Sequence, residues 1–321
     1  MFKQVKPGLK SIAMTLLLPV ILCAASSVAA YPDRPVKIIV PVAPGGSIDT
    51  ISRLIAEYLR GHLSATFLVE NRAGANTEIG STFVSQSPPD GYTLLVNTDA
   101  VVTASLVSSG ARIDPTKNLK AVSMIVSSPA VLVVQPQLGV KTIQQFIGLA
   151  KVRSLNVAST GSGTASQFTG MMFRQNASID WTDIPYSGSG PATAGMLGGQ
   201  VDAMWSMAAP VLAHIKSGRI QAIAVTSAES SPQLPGVPTV NSVLPDFVVN
   251  NWTGLFAPPG TPDSVVQVLS RALAEMMRDP VQAAKLSELG FVPIGSDPLA
   301  LENEIQSSLQ RWKIVLGKQR R

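Results

Sequence analysis

The sequence holds one cysteine and two histidines, and only 14% of its 321 residues carry a charge. Each shortage excludes a kind of chemistry. Cys23 lies in an N-terminal segment that reads as removable, so the mature chain expects neither a disulfide framework nor a thiol nucleophile. His62 and His214 have no Cys, Asp or Glu at metal-ligand spacing and read as helix-end and helix-surface residues. No metal and no cofactor is expected. The net charge is +5, and three of the basic residues are Lys3, Lys6 and Lys10. That leaves no concentrated basic face, so nucleic acid is not an expected partner. Hydrophobic residues make up 45% of the chain, which excludes disorder and provides for about two domains with substantial cores.

Lys3, Lys6 and Lys10 precede an apolar run over 12–22, and Val28-Ala29-Ala30 follows. A basic start, an apolar middle and small residues at the end form a secretory signal peptide over 1–30, cleaved after Ala30. The run is too short for a membrane span, which needs about 20 apolar residues, and Pro19 interrupts it. Leu22 is bulky where a lipoprotein signal wants a small residue before its cysteine. The mature chain is expected to start at Tyr31, outside the cytoplasmic membrane.

From Pro35 onward, short β-rich runs alternate with longer amphipathic stretches. Val36-Lys37-Ile38-Ile39-Val40 reads as a buried strand, and 50–63 as a helix with Ile51, Leu54, Ile55, Tyr58 and Leu59 on one face. Strands follow at 67–69, 92–96, 131–134, 155–158, near 184, and at 201–205, 222–225 and 255–257, with helices between many of them. The tail is helical over 262–278, 280–289 and 298–318, each stretch opened by a proline. Strand–helix alternation predicts an α/β fold with parallel sheets covered by helices.

Three loops carry the site chemistry, because ligands of such sheets gather at the carboxyl ends of strands where helix N-termini point. The first is Pro44-Gly45-Gly46-Ser47-Ile48-Asp49, whose glycines let backbone approach a ligand and whose helix start favours an anion. The second is Ser159-Thr160-Gly161-Ser162-Gly163-Thr164-Ala165-Ser166-Gln167, a loop of neutral hydroxyl donors. The third is Ile184-Pro185-Tyr186-Ser187-Gly188-Ser189-Gly190-Pro191, followed by Gly198-Gly199-Gln200-Val201-Asp202-Ala203-Met204-Trp205-Ser206, where Tyr186 offers a hydroxyl or a ring wall. Each pattern also fits a plain capped turn, and Trp205 fits a core residue. Neither a Walker A loop nor a dinucleotide fingerprint is present, and Ser162 and Ser189 lack the nucleophile-elbow spacing. Asp49, Asp99 and Asp202 have no partner that would make an acid–base pair. The chain does not read as an enzyme.

Several segments in order carry a family resemblance. They are Tyr31-Pro32-Asp33-Arg34-Pro35-Val36-Lys37, the Pro-Gly-Gly-x-x-Asp loop at 44–49, Val69-Glu70-Asn71-Arg72-Ala73-Gly74, Pro89-Asp90-Gly91-Tyr92, Gly198-Gly199-Gln200-Val201-Asp202 and Gly254-Leu255-Phe256-Ala257-Pro258. With them the chain resembles the Bug-type extracytoplasmic solute receptors, the binding components of tripartite tricarboxylate transporters. The resemblance implies a two-lobed periplasmic binding protein type II fold, each lobe a mostly parallel sheet flanked by helices. Lobe 1 would comprise 31–133 and 253–321, lobe 2 134–252, with crossings near 133–136 and 250–253.

By the same resemblance a ligand carboxylate is held by Pro44, Gly45, Gly46 and Asp49 with Ser159, Gly161, Gly163, Thr164 and Ser166. Tyr186, Ser187, Gly188, Asp202 and Trp205 would line the second-lobe wall. Gln167, Ser187 and Trp205 stand where the family often has His, Lys and Phe, which removes two cations and adds an indole. The implied protein is a monomeric periplasmic receptor that captures a small organic acid or amino acid by hinged closure and passes it to membrane permease subunits. Presentation of the closed form to a membrane sensor is the alternative, and a hydrolase the remoter one.

Overall fold

The computed structural model describes residues 1–4, 31–107 and 112–319. The expected signal peptide falls, over 5–30, outside the described residues. Among those described, no helix is long and apolar enough to cross a membrane.

Two sheets share one long strand. The chain enters the first sheet through β1 (Val36–Val40), α1 (Ser47–His62), β2 (Phe67–Asn71), α2 (Glu78–Ser85), β3 (Thr93–Thr98) and α3 (Ala100–Val107). In α1, Ile51, Ile55 and Leu59 recur at helical spacing and are wholly buried, each worth about 1.5–3 kcal/mol relative to exposure. Strand β1 pairs in parallel with β2 on one side and β3 on the other. Then β4 (Lys120–Val134) runs first through this sheet and afterwards through the second.

The second sheet follows in chain order: α4 (Ile143–Val152), β5 (Asn156–Ser159), α5 (Ala165–Ala177), β6 (Thr182–Pro185), α6 (Ser189–Leu197), β7 (Ala203–Met207), α7 (Ala208–Lys216) and β8 (Gln221–Val225). The chain returns to the first sheet through β9 (Asn250–Ala257) and closes with α8 (Asp263–Arg278), α9 (Pro280–Glu288), β10 (Val292–Pro293) and α10 (Pro298–Gln319). This is the α/β, two-lobed arrangement expected. The sheets are mixed, however, rather than mostly parallel. β9 and β10 pair antiparallel to β4 in the first sheet, as do β7 and β8 in the second. The physical reason is that β4 and β9 carry the chain between lobes and cannot follow the helical crossover rule that makes the other pairs parallel.

The pairing locates the lobe crossings. Residues up to Pro129 pair with β9, and residues from Ala130 pair with β7, so the change of sheet falls earlier than the expected 133/134 boundary. On the return, Val249 still donates to Thr226 of the second lobe, while Asn250 is paired with Pro129. Helix α10 makes a third tie. Leu301 lies against Gly254 of β9, whereas Trp312 packs on Phe168 of α5 at a centroid distance of 5.5 Å. Trp312, in its C-terminal half, therefore reaches the second lobe, whereas the sequence assigns the whole of 253–321 to the first.

Candidate functional site

Loop 1 is held from within by Asp49. The Asp49 carboxylate accepts from the Gly45 amide at 3.0 Å, from Asn71 Nδ2 at 2.9 Å and from both Arg53 Nε and Nη2 at 3.0 Å. The Arg53 guanidinium, foremost, holds the carboxyl at about 2, despite a burial that leaves Asp49 only 4% exposed. Its charge thus braces the loop from within. Gly45 adopts φ +86°, a conformation that glycine takes freely. Gly46 is the N-cap of α1 and supplies no capping side chain. The first turn of α1 thus keeps its donors and the positive end of its dipole available.

Loop 2 spends more of its polar groups on itself than the sequence implies. Thr164 caps α5 and donates to the Gly161 carbonyl at 2.7 Å. Ser166 donates to the Trp205 carbonyl at 2.6 Å and accepts from the Thr160 amide. Gln167 accepts from the Gly163 amide at 2.8 Å and donates to Asp183 at 2.7 Å. Ser159 is the exception: it is buried at the carboxyl end of β5 and its hydroxyl has no protein partner. Ser206 near the end of β7 and Asn251 in β9 also have buried, unpartnered side-chain oxygens. Such groups cost free energy unless a ligand or water meets them.

The loop does reach the first lobe. A methyl group built on Gly163 would meet Val107 Cγ2 at 2.9 Å and would lie 3.9 Å from Asn76 Nδ2.

Of the third segment, the backbone matters most. Gly188, at φ +122°, is the N-cap of α6 and, like Gly46, offers no side-chain cap. Loop 1 and the start of α6 line one cavity of about 790 Å³ between the lobes, through Gly45, Gly46, Ser47, Ser189 and Gly190. Thr193 of α6 also lines it, 7% exposed and with an unpartnered hydroxyl. Tyr186 turns away toward Gln200, to which its hydroxyl donates at 3.2 Å, and its ring abuts Gly195. Ser187 is exposed beside it.

Two expected wall residues lie elsewhere. Asp202 precedes β7 and binds Arg153 and the Asn156 amide, each at 2.8 Å. Asn156 opens β5, so Asp202 sits at the opposite end of these strands from Ser159. Trp205 is 1% exposed and packs on Phe173, Phe247 and Gly170. It is core, because odd positions of β7 face the aromatic cluster. Ser189 falls within the third segment that the sequence singles out, whereas Thr193 carries no signal of its own beyond the Gly-Ser-Gly-Pro run that precedes its helix. Phe291 and Leu289, which also line the cavity, arrive from the far end of the chain through no local signal.

Asp99 is the buried acid without a role in this cavity. Burial raises its carboxyl to about 7, with Glu304 adding to the rise and Arg311 and the Ala100 amide opposing it. Among the described residues, no cluster of three His, Cys, Asp or Glu suited to a metal occurs.

Residues 51–320 match the family described as "Tripartite tricarboxylate transporter family receptor". The chain is 34% identical to Protein BugT of Bordetella pertussis over 301 residues, 92% of each chain. It is similar to the solved structure of the periplasmic binding protein BugD, at TM-score 0.79 and 31% identity, over 90% of this chain and 98% of that one. It is also similar to R. palustris Rpa4515 with adipate, at TM-score 0.81 and 28% identity, over 89% and 97%.

Proposed function

The chain belongs to the tripartite tricarboxylate transporter receptor family, and from that premise we propose that it holds a carboxylate-bearing solute between its lobes and delivers it to a membrane permease. It is a solute-binding receptor of the periplasmic Bug type, and among similar solved structures one is with adipate and another with bound malate. The observation that carries the proposal is the convergence of two helix starts without side-chain caps, α1 and α6, on one interlobe cavity.

A carboxylate there accepts charge-assisted bonds from backbone amides, and the two dipoles favour its charge. The buried hydroxyl of Thr193, which lines the cavity, gains a partner at the same time. No cation is needed for one carboxylate. The residues proposed for this role are Gly45, Gly46, Ser47, Gly188, Ser189 and Thr193, with Ser159 and Gly161 of loop 2 proposed to meet the ligand from outside this cavity lining, and with Asp49, Gly163, Thr164 and Ser166 holding the loops in shape. Adipate in Rpa4515 supports the ligand class.

Binding and closure are one equilibrium. A ligand touching both lobes stabilises the closed form by its differential affinity for that form. Three ties cross between lobes: β4, the segment entering β9, and α10. The hinge lies where β4 and β9 change sheets. The closed form, with loop 2 against Val107, would then be the surface that a permease reads.

The test is a thermal-shift screen of protein that has been unfolded and refolded to remove bound solute. A carboxylate at 100 times its Kd adds about 2.7 kcal/mol, several degrees of Tm for a chain of this size. Shifts confined to carboxylates, with the solute recovered unchanged, support the receptor reading. A flat response to every carboxylate contradicts it.

A further inference from the structure

The receptor reading names one end of the ligand, and the cavity beyond that end describes the rest. We propose that the ligand is a monocarboxylate with an extended apolar body, such as a medium-chain or aryl-alkyl acid, rather than a short dicarboxylate. The inference rests on the receptor reading and deepens it.

Four observations point the same way. The cavity measures about 790 Å³, in the upper part of the range for drug-sized ligands and far more room than a four-carbon acid needs. Its neutral polar lining comes from the two helix starts and the unpartnered Thr193 hydroxyl, 7% exposed, a donor set that suits one anion.

Beyond Thr193 the walls are apolar and come from both lobes, with Leu197 and Leu212 on one side and Leu289 and Phe291 on the other. Leu289 is 38% exposed, a large apolar side chain open to a cavity that an apolar ligand body would cover.

The charges at the rim do not form a second anion site. Lys216 and His214 of α7 face the same cavity as Glu288 of α9, so a carboxylate at the rim meets both signs. Lys216 and Glu288 are exposed, where such charges are worth little.

The test is calorimetric titration of refolded protein with four probes: butanoate, octanoate, octanamide and suberate. Octanoate and suberate have the same chain length and differ by one carboxylate. Octanoate and butanoate share the carboxylate and differ in apolar body. The proposal expects octanoate to bind at least about tenfold tighter than butanoate, since each added methylene gains burial. It also expects octanoate to bind at least about tenfold tighter than suberate, whose second carboxylate must be desolvated without a partner. Octanamide, without the charge, should bind more weakly than octanoate. Leu289→Ser, at an exposed position that the fold tolerates, should narrow the octanoate-to-butanoate ratio by about threefold or more.

Suberate binding as tightly as octanoate, or butanoate matching octanoate, overturns the proposal and leaves the receptor reading intact. Binding of none of the three carboxylates also overturns the proposal, and the receptor reading falls only if the thermal-shift screen is flat for every carboxylate as well.

Discussion

Thr226 and Ala130 are joined twice: the Thr226 amide donates to the Ala130 carbonyl, and the Ala130 amide donates to the Thr226 hydroxyl, each at 2.9 Å. The same hydroxyl donates to the Val249 carbonyl, and the Val249 amide donates to the Thr226 carbonyl. Ala130 and Val249 are the residues at which β4 and the chain leading to β9 pass between lobes. One wholly buried threonine therefore ties both crossing segments to the second lobe.

Thr226→Val keeps the shape and deletes the hydroxyl, leaving a buried amide and a buried carbonyl each short of a partner. The expected cost is about 2–4 kcal/mol of stability, measured by urea unfolding. Thr226→Ser retains both bonds and should lose less than about 1 kcal/mol. Equal losses for both variants would mean that the methyl packing, not the hydroxyl, holds the crossing.

Gly163 marks where loop 2 meets the first lobe. Gly163→Ala forces an L side chain into φ +74° and sets its methyl against Val107. Backbone strain of about 1 kcal/mol should appear in Tm, while ligand affinity should fall further, because closure now clashes. Adding Val107→Ala should recover most of the affinity and none of the strain. Affinity that stays low in the double variant would argue against a lobe-to-lobe contact at this point.

Asp49 stabilises the first loop through its ionised form. Its folded pKa of about 2 lies below the unfolded value near 4. Its contribution is therefore complete above pH 4 and is lost as pH falls toward 2. Asp49→Ala should cost about 2 kcal/mol at pH 7 and weaken carboxylate binding at least about tenfold, with a smaller cost in stability at pH 2.5. An affinity equal to wild type would show that the loop holds its shape without the brace.

Asp99 should act with the opposite sign. The unfolded chain releases this proton near pH 4, whereas the folded one keeps it to about 7. Folded protein binds the extra proton between these values, so stability falls as pH rises from 4 to 7. Asp99→Asn removes that decline. The variant should melt higher than wild type at pH 8 by at least about 2 °C, the scale of 1 kcal/mol for a domain of this size, and the gap should close by pH 4. Parallel Tm–pH curves would place the neutral form's advantage elsewhere, with Arg311 and Glu304 the charged groups to vary next.

Much of the first lobe was legible in the residues themselves. Ile51, Ile55 and Leu59 repeat at helical spacing, and the Pro-Gly-Gly loop before them is a strand-to-helix turn by its chemistry alone. Other features lay outside local patterns. Residues 120–130 are strand, but register shifts near Val122 and Ile125 and the presence of Pro129 erase any alternation. Helix α3 is apolar around most of its turn, so periodicity gave no sign of it. Trp205 and Asp202 were placed in the cleft because they share a motif; the strand's pleat sends one into the core, and the strand's direction puts the other at the far end. The lining supplied by Phe291 depends on the chain's return through β9, which no neighbouring residue encodes.

The most direct measurement of the central claim is calorimetric titration of wild type and Gly46→Asp with octanoate and adipate. A side chain at Gly46 has room, since its first carbon would lie 4.0 Å from the nearest heavy atom, the Ala43 carbonyl oxygen. The variant should therefore fold with near wild-type Tm while placing a carboxylate at the start of α1. The account predicts saturable carboxylate binding to wild type and none to Gly46→Asp. Equal binding to both proteins would contradict it, because the anion would then lie away from the α1 terminus.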